Sequence, residues 1–106
     1  MSNVQKMPAW LTVDADAAVI QLSRPVECNG IQVDRLRMRA PTVRDIRIAH
    51  RAAGGDETDR ELQLFASLVE IGQKDLEALK LVDYQRLQTA YFRLVEDDGS
   101  SAGADA

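Results

Sequence analysis

The segment Arg39-Ala40-Pro41-Thr42-Val43-Arg44-Asp45 constrains the fold more than any other, because the spacing of apolar residues changes there from two-residue to helical. Pro41 disfavours helical backbone at the residue before it and therefore ends an extended segment. The Thr42 side chain can accept from the backbone N–H of Asp45, whose negative charge is favoured in a first helical turn. We therefore predict β-structure before Pro41 and helices after it.

Before this segment, the sequence predicts an antiparallel β-hairpin over about residues 18–39. Alternating apolar residues mark strands near 18–22 and 31–39. Between them, Asn29-Gly30 is a strong hairpin signal, because both residues tolerate the positive φ that a type I′ turn requires. Pairing outward from this turn places Cys28 opposite Ile31.

The hairpin register predicts an irregularity between the strands. An unbroken ladder would turn Leu36 and Met38 away from the apolar face. One extra residue in the second strand, near Asp34, would bring Leu22 opposite Met38 and restore that face. We therefore predict a bulged second strand, with a looser connection over residues 23–30 as the alternative.

After Pro41, helical periodicity and start and stop signals predict three to four helices. Gly54-Gly55 is expected to end the first, Thr58 with Glu61 to form a capping box that starts the second, and Asp83 to cap the last. The predicted ranges are about 42–53, 58–72, 75–80 and 83–96. The fold class is therefore α+β.

Charge and composition divide the chain into three parts. The chain has 106 residues and a formal charge of −4 at pH 7. Four carboxylates lie within residues 96–106, a segment of otherwise small and polar residues that we expect to be a disordered acidic tail. Residues 17–95 are expected to form one domain, and residues 1–16 a partly mobile N-terminal extension, in which Trp10, Leu11 and Val13 could add a short edge strand or pack on the body.

Residues 24–51 form a basic strip in this otherwise balanced body, with seven arginines against three carboxylates. Strips of this size are usually solvated faces, and nucleic-acid binding is not expected from the pattern alone. The alternative function kept for this strip is that of a small DNA-binding regulator using the arginines within residues 35–51.

The residues do not support catalysis, a cofactor site or a metal site. Cys28 and His50 are the only cysteine and histidine, and nothing in their spacing indicates a nucleophile and base. The carboxylates within residues 56–61 lack the pattern of a calcium loop and suit the start of a helix. No apolar stretch is long enough to span a bilayer, and no secretory signal is evident, so we expect a cytoplasmic, non-enzymatic protein.

Recognition of another protein is the more plausible role, because the helices carry wide apolar stripes. Leu64, Ile71, Tyr91 and Phe92 exceed what one small core needs and are the predicted partner-binding residues. The competing interpretation is that the hairpin and helices cover all four.

The order of apolar, proline and glycine positions over about residues 18–95 resembles the small tail assembly chaperones of contractile-tailed, Mu-like bacteriophages and prophages. The first part of the pattern is Ile20-x-Leu22-x-x-Pro25-x-x-x-x-Gly30-x-x-Val33-x-x-Leu36-x-Met38-Arg39-x-Pro41-Thr42-x-x-Asp45. The second part is Leu68-Val69-x-x-Gly72, Asp75-Leu76-x-x-Leu79, Asp83-Tyr84 and Leu87.

This resemblance implies a protein that binds the tape measure protein and helps tail tube subunits to assemble around it. It implies action in the host bacterial cytoplasm and absence from the mature virion. In many relatives a ribosomal frameshift yields a longer form, which is a further possible partner of this chain. The resemblance carries over no catalytic residue, cofactor or metal.

Overall fold

The computed structural model describes residues 7–96, which form a three-stranded antiparallel sheet followed by four helices. The strands are β1 (Leu11–Val13), β2 (Ala17–Cys28) and β3 (Ile31–Arg39), in the spatial order β1-β2-β3. The helices are α1 (Val43–Ala53), α2 (Glu57–Val69), α3 (Gln73–Glu77) and α4 (Leu81–Val95). The predictions made for residues 1–6 and 97–106 lie outside the described residues.

The α+β class and the hairpin are confirmed, and β1 adds a third strand that the hairpin prediction lacked. β1 lies within the segment predicted as an N-terminal extension and pairs with β2, Leu11 facing Ile20. At the hairpin turn, Asn29 and Gly30 both have positive φ, 55° and 79°. Cys28 faces Ile31, as the turn type requires.

The predicted position of the bulge was wrong, because the extra residues lie in β2 and not in β3. Between the pairs Gln21↔Arg35 and Val26↔Val33, residues 22–25 of β2 face Asp34 alone. Pro25 has no N–H to donate to the ladder, so the strand that contains it accommodates the irregularity.

The bulge restores the apolar face by a different pairing from the predicted one. Met38 faces Ala18 instead of Leu22, and Leu36 faces Ile20. All four of these paired side chains are buried. The face is therefore shared between the two strands as expected, but in another register.

The signals at the start and end of α1 are confirmed. The Thr42 side chain accepts from the Asp45 N–H at 3.2 Å, and the Asp45 carboxylate accepts from the Thr42 N–H at 2.8 Å, which completes a capping box. Gly54 ends the helix in the left-handed conformation.

The predicted bounds of the other helices need correction. Asp56, not Thr58, caps α2, because its side chain accepts from the N–H groups of Thr58 and Asp59. α2 ends at Val69, where Glu70 turns left-handed and the Ile71 N–H donates to the Ala66 carbonyl. α3 spans Gln73–Glu77 instead of 75–80, and α4 begins at Leu81 instead of 83.

The core lies between one face of the sheet and the helices α2 and α4. α4 packs on β2 and β1, and α2 packs on β3. The largest fully buried apolar side chains are Phe65, Ile20, Met38, Leu68, Leu76 and Leu87. α1 packs on α2 at the side of this core. Among the described residues, no helix is both long and apolar enough to cross a membrane.

Candidate partner-binding surface

The inner side of α4 is fixed to the sheet by complete burial. Leu87 and Ala90 have no exposed surface. Tyr84 and Tyr91 flank Phe65 of α2, with ring centroids 5.6 Å and 5.3 Å from the Phe65 ring. Burial, and then the neighbouring Glu61 carboxylate, raise the pKa of Tyr84, so this phenol stays neutral. α4 therefore has one defined orientation on the body.

A buried carboxylate also fixes the start of α4. Asp83 is completely buried, and its Oδ1 and Oδ2 accept from the Ser23 N–H at 2.7 Å and the Ser23 hydroxyl at 3.0 Å. Asp83 is thus not the helix cap that the sequence predicted. The cap position is Lys80, whose carbonyl accepts from the N–H groups of Asp83 and Tyr84. The bulge of β2 leaves the Ser23 N–H free for this contact.

Arg86 adds a second polar contact between α4 and the sheet. Its Nη1 donates to the Gln21 carbonyl at 2.8 Å, and its guanidinium lies 5.0 Å from the centroid of the Trp10 ring. Two of the three charged side chains of α4, Asp83 and Arg86, are therefore directed to the body. The third, Arg93, lies 3.8 Å from Glu96.

The outer face of α4 is consequently free of charge. We define it as Leu81, Gln85, Gln88, Phe92 and Val95, which share one side at helical spacing. Leu81 is 68% exposed, Phe92 65% and Val95 47%. With a rise of 1.5 Å per residue, this face is about 21 Å long. An uncharged, largely apolar helix face in water is the usual mark of a protein-binding surface.

An open groove continues this face toward α2 and α3. Its volume is about 480 Å³, and Leu81 and Gln88 line it together with residues of the other two helices. Leu62 and Tyr84 supply apolar surface to it, the buried Leu76 and Leu79 lie at its base, and Glu61 and Glu77 bring two carboxylates to its lining. The outer face of α4 and this groove form one continuous surface.

The structure does not bring the four predicted partner-binding residues together. Leu64 and Ile71 are only 5% and 8% exposed and pack in the core. Tyr91 is partly buried against Phe65. Phe92 alone of the four is mainly exposed. The role of these residues in binding a partner stays a prediction, and the geometry favours Phe92.

Sequence reasoning missed Leu81 as an exposed residue. With the helix start assigned to Asp83, Leu81 fell in a connection, and its alignment with Phe92 was hidden. The signal was present, since residues 81, 85, 88, 92 and 95 contain no charged residue. Continuing the helical pattern two residues toward the N-terminus would have revealed this face.

The arginines of the basic strip are divided by the fold. Arg39 makes a two-pronged pair with Asp45, Nη1 to Oδ2 at 2.8 Å and Nη2 to Oδ1 at 3.0 Å. The Arg39 guanidinium and hydrogen bonds from Thr42 outweigh burial and hold the pKa of Asp45 well below its usual range. The three arginines of α1, which are Arg44, Arg47 and Arg51, are exposed.

The sole cysteine and histidine lie on different elements, Cys28 at the end of β2 and His50 on α1. Cys28 is buried, and burial together with the nearby Asp75 raises the pKa of its thiol. His50 is exposed on α1. Within residues 7–96, no three histidine, cysteine or carboxylate side chains are grouped so that they could hold a metal ion.

The comparison with known families agrees with the resemblance seen in the sequence. A family model described as "Phage tail assembly chaperone proteins, E, or 41 or 14" matches residues 19–96. No curated protein and no solved structure matches the chain. The family match gives no support to the alternative of a DNA-binding regulator. The matched range extends from β2 to the end of α4, so the chain belongs to the family of phage tail assembly chaperone proteins.

Proposed function

We propose that this chaperone binds the tape measure protein of its phage and assists assembly of the tail tube around it, without catalysing a reaction. Family membership supports a general role in tail assembly. The choice of the tape measure protein as client, and of the tail tube protein as a further partner, rests on the resemblance described above. A frameshifted longer form of the chain is a third candidate partner.

The observation that carries this proposal is the uncharged outer face of α4. Leu81, Phe92 and Val95 are large apolar side chains that the core does not use. A long helical client exposes apolar seams before assembly, and such a seam can pack against a helix face and the groove beside it. The surface therefore fits a client that has to be kept soluble.

The size of this surface favours weak, reversible contacts. A single helix face about 21 Å long and about 10 Å wide covers roughly 210 Å², which is much less than the roughly 800 Å² per partner of a standard stable interface. Many copies could cover a long client while each one binds with modest affinity. Tube subunits that bind the client better would then displace the chaperone.

The same mechanism places the chaperone outside the finished particle. A protein displaced by tube subunits acts in the host bacterial cytoplasm and is absent from the mature virion. Quantitative mass spectrometry of purified virions and of infected cells should find the chain only in the cells. Stoichiometric recovery from virions would contradict displacement.

Client binding can be tested by co-expressing the chain with the tape measure product of the same phage and capturing the complex. We expect Leu81→Gln together with Phe92→Gln to weaken binding about a hundredfold or more. Burial of a large apolar side chain contributes about 1.5–3 kcal/mol, and 1.4 kcal/mol corresponds to a factor of ten. Glutamine preserves helix propensity and charge.

A matched control removes two exposed apolar residues from α1. Val43 and Ile48 are 76% and 54% exposed. Val43→Gln with Ile48→Gln should leave capture within about twofold. Equal loss with both pairs would argue against the outer face of α4 as the binding surface. Failure of the unaltered chain to bind the tape measure product would overturn the proposed client.

A further inference from the structure

Helix α1 presents a basic face that the rest of the described chain does not use. Ala49 is its only buried residue. Arg44, Arg47 and Arg51 follow one another at steps of three and four residues, so they lie on one side of the helix. All three are exposed. We call these three residues the arginine face.

Within residues 7–96, the arginine face has no carboxylate partner. None of its three arginines forms an ion pair or a side-chain hydrogen bond with a described residue. The one carboxylate on α1, Asp45, is already engaged by Arg39 and by Thr42. Three like charges therefore remain close together, which favours an acidic ligand at this position.

The direction of α4 brings its C-terminal end to the side of the sheet where α1 begins. Asp83 contacts Ser23, and Arg86 in the next turn contacts Gln21, so α4 runs toward the start of β2. From Asp83 to Val95 is about 18 Å along a helix, and from Ser23 to Ala17 is about 20 Å along a strand. α4 therefore ends near the level of Ala17.

Ala17 in turn marks the position of α1. It pairs with Arg39 at the end of β3, and α1 starts at Val43 immediately after this strand and the Pro41 turn. Glu96, the last described residue, thus lies at the same end of the sheet as α1. Ten extended residues reach about 33–36 Å, whereas α1 is only about 16 Å long.

The segment that follows α4 is negatively charged, opposite in sign to the arginine face. Residues 97–106 contain Asp97, Asp98 and Asp105 and no lysine or arginine. We propose that residues 97–106 of each chain dock on the arginine face of their own α1. Attachment of the segment to the body provides a high local concentration, so weak charge pairs suffice.

Docking of residues 97–106 on the arginine face should depend on ionic strength. Exposed pairs of this kind are screened by salt, since the Debye length falls from about 10 Å at 0.1 M to 3 Å at 1 M. The contact should therefore be occupied at low ionic strength and lost at high ionic strength. This inference does not depend on the identity of the client.

The test is paramagnetic broadening measured by NMR on the full chain. A nitroxide is attached to Ser101→Cys in a Cys28→Ala background, so that the label has one site. We expect selective broadening of the α1 amide signals at low salt and loss of that broadening at 1 M salt. Uniformly weak broadening over the whole sheet and all helices would overturn the proposal.

Two triple variants, one of them a control, test whether residues 97–106 dock on the arginine face. Arg44→Gln with Arg47→Gln and Arg51→Gln should abolish the broadening. The control, Arg24→Gln with Lys74→Gln and Lys80→Gln, removes three exposed cations elsewhere and should preserve it. Equal loss in both variants would indicate a response to net charge and would contradict a defined docking face.

Two further measurements keep the proposal falsifiable. If Cys28→Ala perturbs the fold, Asp97→Asn with Asp98→Asn and Asp105→Asn in the otherwise unaltered chain should shift the α1 amide signals at low salt only. Mixing isotope-labelled chain with unlabelled spin-labelled chain tests contacts between molecules. Broadening confined to such mixtures would overturn docking within one chain.

Discussion

Helices α1 and α4 both expose a distinctive face to solvent, but the body holds them in different ways. α4 buries Leu87 and Ala90 completely and directs Asp83 into the sheet. α1 buries only Ala49, and polar contacts of Asp45 fix its first turn. The position of α4 therefore depends on the core, whereas α1 packs on α2 with a single buried residue and is also held by the contacts of Asp45 with Arg39 and Thr42.

The exposed faces of the two helices also differ in charge. The charges of α4 are directed mainly to the body, which leaves an uncharged outer face suited to apolar clients. On α1 the carboxylate is engaged at the helix start, which leaves the arginine face without a carboxylate partner among residues 7–96. Because α1 has few buried apolar contacts, its local opening should require less free energy than that of α4.

The largest difference between α4 and α1 is expected when a core-facing side chain of each helix is shortened to alanine. Leu87→Ala should lower the free energy of unfolding by about 2–5 kcal/mol, because it opens a cavity at a completely buried site. Ile46→Ala, at the partly buried side of α1, should cost about 1 kcal/mol. Urea unfolding measures both. Equal costs would show that α1 is packed as tightly as α4.

A second test removes the buried carboxylate of α4. Asp83→Ala should cost about 3 kcal/mol, since it leaves the Ser23 N–H and hydroxyl without their charged acceptor. The exposed Asp34→Ala serves as control and should change stability by less than about 0.5 kcal/mol. If the two variants are equally stable in urea, the contacts of Asp83 do not stabilise the packing of α4 on β2.

A third test concerns the contacts of Asp45 with Arg39 and Thr42 at the start of α1, and their dependence on pH. The pKa of Asp45 is lower in the folded chain than its value of 3.8 in the unfolded chain. The contribution of Asp45 to the free energy of unfolding is therefore fully present above pH 3.8 and is lost as the pH falls through the pKa of the folded state. Asp45→Asn should cost about 1–2 kcal/mol at pH 7.

Urea unfolding of the unaltered chain and of Asp45→Asn at low pH shows in which direction pH changes the contribution of Asp45 to stability. The difference in unfolding free energy between the unaltered chain and Asp45→Asn should narrow progressively below about pH 3.8. Arg35→Gln removes an exposed arginine of β3 and provides the control, with no comparable change expected. A difference that widens on acidification would exclude the proposed ion pair.

The smallest expected effect is on the outer face of α4. Phe92→Gln should change the free energy of unfolding by less than about 0.5 kcal/mol, because 65% of the side chain is already exposed. Its effect should instead be on capture of the client. A loss above about 1 kcal/mol in thermal or urea unfolding would mean that Phe92 stabilises the body rather than a complex.

Much of the fold was predictable from signals that act over a few residues. The Asn29-Gly30 turn, the Thr42 and Asp45 capping box and the Gly54 stop depend on local backbone preferences and short-range hydrogen bonds. The candidate surface was only partly predictable. The exposure of Phe92 agrees with the prediction, whereas Leu64 and Ile71 are buried and could not be separated from the core without the packing of α2 on the sheet. The role of all these residues in binding stays a prediction.

The sequence by itself determined the order of sheet and helices, because periodicity and turn preferences are properties of neighbouring residues. Only the tertiary structure decided where the β2 irregularity lies and what Asp83 does. These two features depend on each other, since the Ser23 N–H released from the ladder meets a carboxylate 60 positions away. A contact between such distant residues leaves no local pattern, and so packing alone could reveal it.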